Sequence, residues 1–394
     1  MKINSKIIII LTFFINSISY AEKDSASIDA LEDRNGAYYL VQSKKPFTGY
    51  IYSNYFDGGR ELRGEYFKGL KHGLWTYWRE NGTKKANESY SNGKKQGKWE
   101  FFNDKEIKNK EQFFIKDKES GKTIYYNNFG KKEKEENYLN GFRHGRWIKW
   151  YKSGLIEKEE YFVKDMKNGI WKYFNSIGDL ITSVSYRNDM RNGFSDFWSL
   201  DGKIKIRQES YLNDLNHGKW TWWNQDGSKL REGNFIKNRK HGKWARYRSR
   251  GLKVEESLWR DGQLNGKTIE WNINGKVISI KSYKDDERLG LWVWWNNNGI
   301  KSKEGYYKND KKHGKWKFYF ADEKLSRFEN YKNNKKNGKQ ITWYENGNKL
   351  SELNFKNNKK EGKSFYWYDN GRLDREEVYK NGKQIDGKHF DYFD

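Results

Sequence analysis

Glycine recurs through this chain at a fixed interval. Gly49, Gly73, Gly97, Gly121, Gly145, Gly169 and Gly193 are followed by Gly218, Gly242, Gly266, Gly290, Gly314, Gly338, Gly362 and Gly387, a step of 24 residues lengthened to 25 twice. A period of this size marks an array of supersecondary units. One unit cannot bury its apolar face alone and stacks on its neighbours instead. Each residue is therefore read by its place in the period, with the glycine as position 1.

Position 6 is aromatic in every unit from Gly73 to Gly362, for example Trp78, Trp150, Trp223, Trp295 and Trp343, and Tyr392 fills it in the partial last unit. A second ring recurs at position 18, among others Tyr66, Phe114, Tyr211, Trp259 and Tyr331. Position 10 is again glycine, usually after Asn or Asp, as in "ENG" at 80–82 and "DNG" at 369–371. Asn-Gly and Asp-Gly tolerate positive φ and close hairpins, and aromatic-rich stretches on either side favour strands. Each unit reads as a strand over about positions 2–7, a turn at 8–10, a strand over about 12–18 and a polar loop at 19–24. The expected fold is all-β: an elongated repeat array of about fifteen 24-residue antiparallel β-hairpins forming a twisted, partly rolled meander sheet. The position 6 rings are expected along its buried face. Composition agrees: 35% hydrophobic content is low, yet 18% is aromatic with 19 Trp, so a few large rings carry the apolar area.

Residues 1–21 read as a secretory signal peptide. Lys2 and Lys6 precede an apolar run from Ile7 to Ile15, and Ser19-Tyr20-Ala21 places small residues at −3 and −1 of a cleavage site. An uncleaved N-terminal membrane anchor is the alternative, although the run is short for a span. Residues 22–45 read as an N-terminal cap and 46–394 as the array. The chain has no cysteine, which excludes disulfides and thiolate metal sites.

The units "GLWTYWRENGTKKANESYSNGKKQ" and "GKWTWWNQDGSKLREGNFIKNRKH" resemble MORN repeats, in the bacterial variant with Trp or a small residue at position 3 that is common in YwqK-type proteins. The resemblance covers about residues 46–394 and implies an elongated sheet of β-hairpins. It departs from the eukaryotic form, which usually has a second glycine where Trp75, Trp99 and Trp220 stand, so that form's lipid binding does not carry over directly.

"HGKW" appears at 217–220, 241–244 and 313–316. His72, His144, His217, His241 and His313 share position 24, where Gln96, Asn168, Asn192, Asn265 and Asn337 stand in other units. Neighbouring units are about 10 Å apart, too far for two histidines to share a zinc at about 2.0–2.1 Å. A loop-capping role is expected, and no metal or cofactor. Glu111, Glu135, Glu159, Glu232, Glu256, Glu304, Glu352 and Glu376 share position 15, and Lys98, Arg146, Lys219, Lys243 and Lys315 share position 2. Cross-strand pairing is the expected use, against acid–base or calcium chemistry. No nucleophile elbow, P-loop, HExxH or CxxC is present, so no catalytic residue is assigned and no enzyme is expected.

Two candidate surfaces remain. Trp75, Trp99, Trp147, Trp171, Trp220, Trp244, Trp292 and Trp316 occupy position 3, which Thr123, Ser195, Thr268, Gln340 and Ser364 fill elsewhere. Tolerance of small polar residues reads as half exposure, on the face opposite position 6. These rings are candidates for contact with protein or glycan; the alternative is that the rolled sheet covers them. Lysine-rich loops form a basic edge, with Lys308, Lys311, Lys312, Lys335, Lys336, Lys359 and Lys360 as candidate contacts to an anionic surface; the alternative is a solvated edge that prevents aggregation. The leading expectation is an exported, non-enzymatic scaffold for protein–protein interaction at the bacterial envelope or outside the cell. The others are a binder of anionic lipid or acidic glycan and, less favoured because of the leader, an antitoxin-like protein, as proteins with this resemblance are often labelled. With export, nucleic acid is not an expected partner. Oligomeric state is not encoded in any recognisable feature.

Overall fold

The computed structural model describes residues 24–390. The expected leader at 1–21 and Tyr392 lie outside the described residues. The chain divides into two units, Met1–Gly154 with Phe162–Asp165, and Leu155–Tyr161 with Met166–Asp394. Both are built from β-hairpins. Among the described residues the helical segments are two three-residue 3-10 turns, Ile28–Ala30 and Ser249–Gly251.

In the first unit, Leu70–Trp78 pairs antiparallel with Lys84–Ser91, setting Gly73 opposite Tyr90 and Trp75 opposite Glu88. The second unit repeats this register: Lys311–Tyr319 pairs with Leu325–Lys332, with Gly314 opposite Tyr331 and Trp316 opposite Glu329. Within each unit successive strands continue the meander, and among the described residues no strand pairing closes either ladder on itself.

Two turns alternate, and both follow from glycine and Asx chemistry. At positions 8–10 the Gly82 amide donates to the Arg79 carbonyl at 2.9 Å and the Arg79 amide to the Thr83 carbonyl at 2.9 Å. At positions 20–21 both residues have positive φ: Asn92 and Gly93 at 49° and 75°, Asn333 and Asn334 at 52° and 69°. That pair of conformations is a two-residue type I′ hairpin, which favours Asn, Asp and Gly. The polar segment at positions 19–24 is therefore no loop. Only positions 20–21 turn, and the next strand already begins at position 22, as at Leu70, Lys311 and Lys335.

Residues 24–47 cover the first hairpins of the first unit. Ser25–Ser27 pairs in parallel with Gly49–Asn54, which makes this sheet mixed. A small hairpin, Leu31–Arg34 with Ala37–Leu40, follows. Ile28, Leu31 and Tyr38 pack on Phe47, Ile51, Tyr66 and Trp75, and the Tyr38 and Tyr66 rings are 4.8 Å apart.

Candidate interaction surfaces

The recurring "HGKW" is a bulge that seats a ring. Between the pairs Tyr306–His313 and Gly305–Trp316 the strand carries two unmatched residues, Gly314 and Lys315. Gly314 has φ 66°, and Gly97 and Gly145 at the same place have 81° and 82°, conformations that β-branched and bulky residues avoid. The bulge swings the following tryptophan back over the preceding strand. Its indole Nε1 then donates to a backbone carbonyl ten residues earlier: Trp75 to Glu65, Trp147 to Asn137, Trp244 to Asn234 and Trp316 to Tyr306, at 3.0–3.2 Å. Trp99, Trp171, Trp220 and Trp292 do the same at 2.9–3.0 Å. The Asn137 carbonyl also accepts from the His144 amide at 2.8 Å, so a carbonyl displaced by the bulge keeps two donors.

These rings are the core, which corrects the expectation that they are half exposed. Trp75 and Trp316 are 1% and 2% exposed, and Trp99, Trp171, Trp220, Trp244 and Trp292 are also buried; Trp147 is half-buried. Each meets the position 18 rings, as in Tyr211–Trp220–Phe235–Trp244 at 5.4, 5.1 and 5.0 Å. Three of them lie flat on glycine at position 16. A Cβ added at Gly64, Gly233 or Gly305 would come within 2.4, 2.1 and 2.2 Å of the Trp75, Trp244 and Trp316 indoles. The position 6 rings, expected to form the buried ladder, are half-buried in every repeat among the described residues, Trp295 among them. They do lie on the opposite, outward face, as alternation requires: the Tyr247 and Tyr319 hydroxyls donate to Glu232 and Glu304 at 2.8 Å.

The position 15 glutamates pair across strands as expected, with a second partner that the sequence reading missed. Lys219 and Lys229 each reach Glu232 Oε2 at 3.0 Å. Lys98 and Lys108 reach Glu111 at 3.3 and 2.9 Å, and Lys339 and Lys349 reach Glu352 at 2.5 and 2.8 Å. The second lysine stands at position 12. A K-x-x-E pattern announces it: "KNKE" at 108–111, "KLRE" at 229–232, "KLSE" at 349–352. Burial pushes the Glu232 carboxyl up, but hydrogen bonds from Lys229, Lys219 and Tyr247 outweigh it and hold it at about 2. Carboxylates held this firmly as anions by two cations are poor proton donors near neutrality.

At the turn edge the seven candidate lysines separate into two kinds. Lys308, Lys311, Lys335 and Lys359 are exposed, and none has a carboxylate partner among the described residues. Lys312, Lys336 and Lys360, at position 23, are not free edge charges. Lys312 Nζ lies 4.3 Å over the Trp316 ring and 5.0 Å over Tyr331. Lys336 lies over Phe355 and pairs with Glu329 at 3.0 Å, and Lys360 lies over Tyr379. Burial lowers the pKa of Lys312. The turns are also stitched to one another. Asp310 Oδ1 accepts from the Arg288 amide at 2.9 Å while the Asp310 amide donates to the Arg288 carbonyl at 3.2 Å, and Asn334 treats Lys312 the same way.

Position 24 caps through some side chains and not through histidine. Gln96, Thr48 and Glu361 accept from the turn amides of Lys116, Lys68 and Asn381 at 3.1, 2.9 and 2.7 Å. Nδ1 of His72, His144, His217, His241 and His313 is buried without a hydrogen-bond partner. No group of three metal-ligating side chains occurs among the described residues.

The geometry defines a class, a β-hairpin repeat array in which eight of the hairpins carry a bulge-seated tryptophan. The family model described as MORN repeat variant matches residues 312–333, 336–357 and 360–381. The chain thus carries MORN repeats of the variant class at these three consecutive places, each match running from position 23 to position 20, one hairpin between successive type I′ turns. No curated protein matches the chain. Solved structures similar to it include the crystal structure of TcdB2-TccC3-Cdc42, 11% identical, covering 86% of this chain and 20% of that one with a TM-score of 0.15. A Photorhabdus luminescens Tc holotoxin pore is also 11% identical, covering 82% and 19% with a TM-score of 0.15. The chain spans about a fifth of the length of these chains. At such TM-scores the likeness carries no argument.

Proposed function

We propose that this chain is an exported, non-enzymatic scaffold that docks a protein partner on the outward face of its hairpins. One observation carries the reading. Large apolar side chains at positions 2 and 17 stand exposed on it beside the Lys–Glu pairs: Leu74 and Phe113 in the first unit, and Ile170, Phe194, Leu291 and Tyr306 in the second. Exposed apolar side chains of this kind are costly to leave in water and are what an interface buries. Affinity capture from envelope fractions tests it, using wild type and the variants Phe113→Ser, Phe194→Ser and Tyr306→Ser. The partner should be lost from the variants; a partner retained by all three rejects this face. Export rests on residues 2–21, and mass spectrometry of the native protein should find an N-terminus at Glu22. An intact Met1 in the cytoplasm would refute it.

The second reading is attachment to an anionic surface through the turn edge. It is favoured by the unpaired, exposed ammonium groups of Lys308, Lys311, Lys335 and Lys359. Co-sedimentation with vesicles containing phosphatidylglycerol, compared with phosphatidylcholine alone, distinguishes the two: binding to the former that falls with salt supports the edge.

A further inference from the structure

Where a repeat lacks the seated tryptophan, neighbouring side chains can close the space. Beside Thr123, Gln112 and Thr123 both bond to Glu119; at Gln340, Lys336 Nζ donates to Oε1 at 2.6 Å. At Ser195, Thr268 and Ser364 the hydroxyl is instead buried with no hydrogen-bond partner, and of the three Thr268 stands beside an aromatic cavity. The ring series through Phe235 and Trp244 reaches Trp259, and the next place for a seated ring holds Thr268. It stands directly across the strand pair from Ser257. Ser257 lines a cavity of about 390 Å³ walled by Trp220, Trp222, Phe235, Trp244 and Trp259, within the size range of small-molecule sites.

Three cations and one carboxylate face this cavity. Arg231 lies over the Trp222 ring at 3.9 Å. Lys240 Nζ sits 4.6 Å from the Trp244 ring and 4.2 Å from the Trp259 ring. Arg246 is paired with Glu255 at 2.8 Å. Glu270, opposite Glu255 on the next strand, is taken by Lys281 at 2.7 Å. Arg231 and Lys240 thus have no carboxylate partner among the described residues. Burial lowers the pKa of Lys240, Arg231 lowers it further and Glu255 opposes; a bound anion would relieve both strains.

We propose that this cavity binds an acidic saccharide, one pyranose ring resting on the tryptophans with its carboxylate between Lys240 and Arg231. The polarised C–H groups of a sugar complement indole faces, which Arg231 and Lys240 cover and leave on meeting the carboxylate; Arg246 and Glu255, bonded to each other, and Ser257, whose Oγ accepts from Trp259 Nε1 at 2.8 Å, offer hydroxyl partners. A flat base between two rings needs about 7 Å, two carbon contact distances. Trp222 and Trp244 are 6.2 Å apart and tilted by 38°, too close and too inclined for any ring to enter between them, so the ligand rests beside the rings, and the choice between sugar and base falls to the titration below. This site is independent of the docking face proposed above.

Isothermal titration of the mature chain with trigalacturonate, maltotriose and a short oligothymidylate tests the proposal. Trigalacturonate should bind, more weakly as salt is added, and at least tenfold more tightly than maltotriose. Thr268→Trp installs the residue found in eight sister repeats, closes the cavity, and should weaken binding at least tenfold with an unchanged circular dichroism spectrum. Lys240→Met should weaken it and flatten the salt dependence. The proposal fails if wild type does not bind trigalacturonate, if maltotriose binds equally, if oligothymidylate binds in its place, or if a folded Thr268→Trp or Lys240→Met variant binds as wild type does.

Discussion

Replacing Trp316 by alanine should cost far more than replacing Trp295, although both are tryptophans in neighbouring repeats and the sequence pattern alone favours the reverse. Trp316 is 2% exposed. It lies on Gly305 and meets Tyr307 at 5.3 Å and Tyr331 at 6.1 Å. Its Nε1 donates to the Tyr306 carbonyl, and Lys312 rides on its face. Truncation of a core Trp costs about 3–5 kcal/mol, and with glycine beneath the ring no side chain can relax into the space, which places Trp316→Ala at the upper end. Trp295 is half-buried, so about half of the roughly 1.5–3 kcal/mol of a fully buried side chain is at stake, on the order of 1 kcal/mol. Because repeats couple mainly to neighbours, the loss should appear first as local opening. Hydrogen exchange read by mass spectrometry should show faster exchange over Lys311–Lys332 in Trp316→Ala before the urea transition moves. A Trp295→Ala variant that opens as much or more would refute the assignment of the core to position 3.

Gly305→Ala should destabilise by about 1–3 kcal/mol through overpacking against the indole, and most of that cost should vanish in a Trp316→Ala background, a coupling readable as a double-mutant cycle by urea denaturation. Glu232 is held at about 2 against an ordinary value of 4.5. Its folded-state value is depressed, so its contribution to stability is complete above about pH 4.5 and is lost as pH falls towards 2. Acid unfolding of Glu232→Gln should lack part of the wild-type slope in that window, and carboxyl NMR titration reads the pKa directly. The triple variant Lys311→Gln, Lys335→Gln, Lys359→Gln should stay within about 0.5 kcal/mol of wild type in stability while losing any salt-sensitive binding to anionic vesicles. Lys312→Gln alone should destabilise by about 0.5–2 kcal/mol, from the lost cation–π contacts, as measured by thermal melting.

The period, both glycine-bearing turns and the strand content were legible because they follow from local chemistry: Asn-Gly and Asn-Asn at the turns, rings between them. The partition of rings between faces was legible too, since positions 3 and 6 differ in parity. Which face is buried was not. A ring in every unit at position 6 read as core, and Ser, Thr and Gln at position 3 read as exposure. Yet Thr123 and Ser364 are 0% exposed and Ser195 1%, so small polar residues there mark a loss of volume rather than exposure. The deciding signals were available but weak: glycine at position 16 eleven residues before Trp75, Trp244 and Trp316, which gives the ring a flat bed. The double role of the lysines was hidden for a similar reason. Lys311 and Lys312 are neighbours in sequence, and only the strand that starts at position 22 sends one outward to solvent and the other onto the rings.

Among the described residues each type I′ turn is fastened through position 21 to the turn one repeat earlier, across 22 residues, or 23 at Asp214 where the repeat is longer, as Asp310 is to Arg288 and Asn358 to Lys336. The fastening never reaches further, whatever the length of the chain. A growing or threading polypeptide therefore has one unfinished edge at any moment, completed as soon as the next 24 residues emerge. Excising or duplicating a whole repeat would leave every such clasp with a partner of the same kind. Copy number is in this sense a variable that recombination can change without asking the fold for a new contact.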